Sequence, residues 1–209
     1  MPIDPSSGGT WIGANDAGLV ICLLNGNPPR ARPSATRKLE SRGVIVPRLL
    51  ANGDLATAAQ RALDLEPTRF PEFRLLITDG CTHCIVTSDG MAIDCVRYSV
   101  AREPLLLTSS GLGDHVVQRP REALFKRMIG GHHDPLEAQR RFHSHTWKGR
   151  EHVSVLMSRP DARTVSQTAI DLWPSGVILR HSLVDDDLRL ATITSVCELA
   201  LHRREGAVA

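Results

Sequence analysis

Aromatic residues are the scarcest class in this chain: four phenylalanines, three tryptophans and a single tyrosine among 209 residues. A surface that stacks nucleobases needs exposed rings, and no such platform is patterned here. Excess charge of one sign is missing as well. Lys and Arg number 25 against 23 Asp and Glu, a formal net charge of +2. That balance gives no electrostatic reason to expect nucleic acid or an anionic membrane as a partner. No stretch reaches the roughly 20 apolar residues that span a bilayer, so no transmembrane segment is expected. The opening "MPIDPSSGG" carries neither the basic nor the apolar region of a secretory signal. Five cysteines, an odd number, do not form a secreted disulfide framework. A cytoplasmic protein is the expectation. Cys22, Cys95 and Cys197 sit in apolar runs, where a buried free thiol is the plain reading. Internal repeats, a G-x-S-x-G elbow and a phosphate-loop fingerprint are all missing.

What is present fits one domain spanning residues 1–209, large enough to bury a core without metal or disulfide. Residues 10–14 and 18–24 are β-rich, joined by "NDAG", and predict a hairpin. Residues 25–38, rich in Pro, Gly and basic side chains, read as loop. Ser41 and Asp54 are placed to cap two helices, the second with Leu55, Ala58, Ala59 and Ala62 on one face. From Phe73 the period changes to two, and "DG" at 79–80 and 89–90 marks hairpin turns. "FRLLITDG", "CTHCIVTSDG", "MAIDCVRYSV" and "EPLLLTSS" therefore predict a four-strand meander. "PREALFKRMIGG" predicts a helix with Pro120 in its first turn, and 134–142 a shorter one. "HVSVLMS", "ARTVSQTAIDLW" and "GVILRHSLV" predict strands, and "LRLATITSVCELALHRR" a final helix. Strands and helices do not alternate strictly, so antiparallel sheets with helices on their outer faces, an α+β fold, are expected.

Several constellations carry chemistry. Cys81 and Cys84 form a CxxC with His83 between them. A tetrahedral zinc site needs four ligands, so Cys95, His132, His133, His143 or His145 would have to complete it. Strand parity puts Cys81 and Cys84 on opposite faces, which favours incidental thiols. His143 and His145, in "GGHHDPLEAQRRFHSHTW", could be metal or haem ligands, an acid/base pair, or a polar rim around a pocket. Haem and zinc are thus alternatives to the expectation of no cofactor. Along "ARTVSQT", Arg163, Val165 and Gln167 face one way and Thr164, Ser166 and Thr168 the other. An arginine lining a polar cavity there would grip a carboxylate or phosphate with two parallel bonds; a solvent-facing strand is the equal alternative. "SSGLGDHVV", with Ser109 and Ser110, offers hydroxyls and backbone N–H groups in a loop.

Taken together, "GGTWIGANDAGLVICLLN", "SRGVIVPRLL", "SSGLGDHVVQRPREALF" and "SVLMSRPDARTVSQT" resemble, in that order, the NRDE family, also called the transport and Golgi organisation family. The resemblance runs from Gly8 to about Thr168. It implies an N-terminal-nucleophile hydrolase-like fold, two antiparallel sheets between helix layers. In such proteins a cysteine after the initiator methionine attacks, and its own α-amino group, with a pKa near 8, takes the proton. Here residue 2 is Pro2, and no Asn-Arg-Asp-Glu string occurs. The implied reading is a domain shortened at its N-terminus and catalytically silent. It would bind a small amphipathic or anionic ligand near Asn25, a candidate oxyanion donor, and Arg163. Ser109, Ser110, His143 and His145 would line the same site. The alternative is an amide or thioester hydrolase using Cys22 or Ser110. A missing first strand would leave an edge beside the opening hairpin, open to a homodimer.

Overall fold

A computed structural model of the chain describes residues 1–5, 7–27, 39–99, 104–130, 133–187 and 190–201, with the backbone alone at 190–192. Most of the predicted loop 25–38, His132 and the ends of the predicted last helix lie outside the described residues.

The chain opens with the expected hairpin, β1 (Ile12–Ala14) and β2 (Val20–Asn25). Asn15 makes its turn: Oδ1 accepts from Ala17 and Leu19, while Nδ2 donates to the carbonyls of Leu50 and Asn52, both at 2.9 Å. The turn is thereby fastened to the end of α1 (Ile45–Leu50). β2 pairs with β3 (Phe73–Thr78), which leads through β4 (Thr82–Ser88) to β5 (Ile93–Ser99), giving an antiparallel sheet ordered β1-β2-β3-β4-β5. The Asp-Gly turns act as the dipeptides predict, with Asp79 and Asp89 accepting from the two amides beyond them and Gly80 and Gly90 at φ 86° and 77°. Ile21, Phe73, Leu75, Ile77 and Val86, all fully buried, face the apolar stripe of α1 and α2 (Leu55–Leu63) in one core. Each such side chain contributes about 1.5–3 kcal/mol. Asp54 caps α2 by accepting from Thr57.

Helices α3 (Asp114–Ile129) and α4 (Pro135–His143) pack through an edge-to-face contact of Phe125 and Phe142 at 5.3 Å. β6 (Ser158–Arg159) and β7 (Ala162–Arg163) make a short hairpin. A second antiparallel sheet, ordered β10-β9-β8, comprises β8 (Ser166–Trp173), β9 (Gly176–Val184) and β10 (Leu190–Ala200). It approaches the first sheet at its turns: a Cβ added to Gly80 would meet Leu172 at 2.9 Å, and Trp11 lies 6.3 Å from His181. The chain is a mixed α+β fold with antiparallel sheets.

Four local expectations change. The last segment is a strand, because the β-branched run Thr192–Thr194 with Val196 fits a pleated ladder better than a helix. Residues 104–110 carry no strand, and 152–158 yield only a 3-10 turn (Glu151–Val153) and the start of β6. Helix α3 begins at Asp114, leaving Pro120 in its interior. Among the described residues no helix is long and apolar enough to cross a membrane.

Candidate functional site

Two of the quoted segments touch first at a pair of glycines. Thr10 donates to the Gly43 carbonyl at 3.0 Å, and a Cβ on Gly9 would lie 2.7 Å from the Gly43 Cα. Backbone crosses backbone there, so both positions must lack a side chain.

The far end of the first segment meets the third. Ser109 Oγ donates to the Asn25 carbonyl at 2.9 Å and accepts from Asn27 Nδ2 at 3.0 Å. Asp114, the first residue of α3, is the hub. Its Oδ1 accepts from the Ser110 amide (2.9 Å) and Asn27 Nδ2 (3.1 Å), and its Oδ2 from Arg74 at 2.8 Å. A carboxylate in the first helical turn also suits the helix dipole. Arg74 donates in addition to the Thr108 carbonyl. Arg121, about two turns along α3, donates to the carbonyls of Ser109, Val153 and Ser154. Burial lowers its pKa against the opposing pull of Asp114; it stays charged, as arginine does.

The fourth segment reaches the same loop through Arg159. Its guanidinium packs over Gly111, with Nη2 3.1 Å from where a Cβ would sit. The side chain is 13% exposed. Nε lies 2.8 Å from Asp161 Oδ1, a charge contact without hydrogen-bond alignment, since Nε and Nη1 have no hydrogen-bond partner among the described residues. Three of the four segments, scattered from residue 8 to 168, thus converge around residues 109–114, while the second meets the first at Gly9 and Gly43.

The expected site residues divide. Asn25, Ser109 and Ser110 lie in this junction; Asn25 engages it through its carbonyl, and Ser110 Oγ accepts from the Leu112 amide. Arg163 is held elsewhere, donating to the Asp185 carbonyl (2.9 Å) and pairing with Asp186 (2.7 Å). His143 ends α4 with its carbonyl accepting from Gln167, and its ring reaches solvent although surrounding protein lowers its pKa. His145 sits edge-on to Trp147 at 5.1 Å; desolvation first, then Arg127, lower its pKa, and its buried Nε2 lacks a partner among the described residues. Cys22 pairs across strands with Ile12 and Leu76, and burial pushes its thiol up to about 12. Cys81 is exposed and Cys84 buried. Burial and the neighbouring Cys95 push the Cys84 thiol up to about 11. Cys197, expected inside, is exposed. Among the described residues no group of three or more His, Cys, Asp or Glu is set to hold a metal. A pocket of about 520 Å³ opens between 104–106 and α3, lined by Leu105, Phe125 and Ile129, and does not include Asn25 or Arg163.

Asp114, Arg74, Arg121 and Arg159 were not singled out by sequence. The signals were there: Arg74 is the single charge in "FRLLIT", and Asp114 follows Gly113 at the start of a helix.

The profile of the Transport and Golgi organisation 2 family matches residues 1–146. No curated protein matches the chain significantly. With well over half the sequence covered, the chain belongs to the Transport and Golgi organisation 2 family.

Proposed function

We propose that this protein holds a small anionic or amphipathic ligand, without cleaving it, where Asn25, Ser109, Gly111 and Arg159 meet. The scaffold is read as N-terminal-nucleophile hydrolase-like, two antiparallel sheets between helix layers. The observation that carries the proposal is Arg159: a mostly buried guanidinium over a glycine, with two donors lacking a hydrogen-bond acceptor among the described residues. An unpaired buried donor is costly, and a carboxylate or phosphate would satisfy the planar fork with two bonds. Asp161, whose side chain is 75% exposed, holds one edge of that fork and can be displaced. Arg163, the arginine expected from the segment pattern, is committed to the 185–186 turn.

The candidate nucleophiles support binding over hydrolysis. Cys22 keeps its proton at neutral pH, since burial raises its pKa to about 12. Ser110 Oγ accepts from the Leu112 amide, and no hydrogen bond joins it to a base among the described residues.

Titrating the protein with inorganic phosphate and with dodecanoate by calorimetry tests this. Arg159→Gln should weaken binding of both about tenfold or more, roughly 1.4 kcal/mol, while Arg163→Gln leaves it unchanged. Equal affinities in wild type and Arg159→Gln would overturn the assignment. Steady release of nitrophenol from a nitrophenyl acyl ester, lost on Cys22→Ser or Ser110→Ala, would instead establish the hydrolase.

A further inference from the structure

The second sheet ends in a strand whose last six residues lack most of the usual edge defences. β10 runs for 11 residues, the longest strand among the described residues, and among them it pairs with β9 alone. From Ile193 to Glu198 every side chain is exposed, with Ile193 at 49% and Val196 at 59%. Natural edge strands discourage pairing with lysine, proline, short length or a bulge. Here Ser195–Ala200 contains no lysine or proline and stays in regular register with His181–Gly176. The irregularities of the ladder fall between Leu190 and Ser195, confining the flat part to the last six residues.

We propose that β10 pairs antiparallel with β10 of a second copy across a twofold axis at Cys197, joining two three-stranded sheets into one of six. An antiparallel edge is complementary to itself under a twofold, so a copy of the same chain is the partner that satisfies all its backbone groups at once. Symmetry requires the axis to pass through a residue. An axis at Glu198 sets like charges face to face, which destabilises a ladder, and an axis at Val196 runs the pairing into the irregular end. An axis at Cys197 sets Cys197 opposite its own copy, Glu198 opposite Val196, and Leu199 opposite Ser195. Those registers keep the strand's one charge from its symmetry mate. Cys81 is exposed too but lies at the turn before β4 and not on β10.

Sedimentation velocity of the full chain across the micromolar range should show a dimer. Diamide, taking two electrons and two protons from a thiol pair, should link Cys197 to Cys197, a bond lost in Cys197→Ser while the dimer itself remains. Val196→Glu places a carboxylate opposite Glu198 twice per dimer and should weaken association about tenfold. Val196→Lys should leave it intact, and Glu198→Lys combined with Val196→Glu should restore it. Because Val196 is exposed, circular dichroism of the variants should match wild type. A monomer throughout, a dimer indifferent to Val196→Glu, or a cross-link through Cys81 would each overturn the proposal.

Discussion

Individual thiols and imidazoles in this chain differ by surroundings more than by kind. Cys22 and Cys84 lie against apolar neighbours that hold their pKa values near 12 and 11, whereas Cys81 and Cys197 are exposed. A maleimide added to the native protein at pH 8 should therefore modify Cys81 and Cys197 first, with Cys22 and Cys84 reacting only after denaturation. Peptide mapping reads the order, and early modification of Cys22 would contradict it. His145 has a folded-state pKa below the ordinary histidine value, chiefly from desolvation and then from Arg127. The unfolded chain therefore binds more protons as pH falls through that range, and folding stability falls with it. This contribution is fully present above the ordinary histidine pKa and is lost as pH drops through the depressed one. Urea denaturation between roughly pH 7.5 and 5.5 should show that slope, and His145→Gln should reduce it.

Elements here are joined at places where local sequence gives little warning. The crossing of Gly9 and Gly43 fixes the segment before β1 against the start of α1, and Gly9→Ala would drive a methyl to 2.7 Å from a backbone carbon that cannot yield. A loss of about 1–3 kcal/mol is expected, measured as a lower urea midpoint at unchanged slope. The meander β3–β5 was legible because alternation, Asp-Gly turns and β-branched residues all agree, and α2 because Asp54 and its apolar stripe do. β10 was not. Its leucines and alanines, Leu190, Leu199 and Ala200 among them, mimic a helical period, and only pairing with β9 decides for a strand. The start of α3 was misplaced for a related reason: Pro120 suggests a first turn, while the true N-terminus is held by Asp114 through Asn27 and Arg74, both far away in sequence. The convergence of three segments on residues 109–114 could be inferred only as likeness, since nothing local in any one of them specifies the others.

At the level of the molecule, the first sheet carries the helix-covered core, and side chains of the second sheet reach the turns of the first. Leu172 reaches both Gly18 and Gly80, and Leu201 also touches Gly18. Leu172→Ala should therefore loosen the second sheet while sparing the first. Hydrogen exchange should speed up in β8 and β9 with β3 and β4 still protected; uniform loss across both sheets would show that they unfold together. The junction at Asp114 has a kinetic consequence. Its bond to Asn27 spans 87 residues, and closing a chain loop of that length costs on the order of 4 kcal/mol in entropy. The hairpins of the meander need close only short loops and can form within microseconds. During refolding the Ser110 amide, which Asp114 shields in the finished structure, should remain open to exchange after those of β3 and β4 have closed, making it a clock for the last step of assembly.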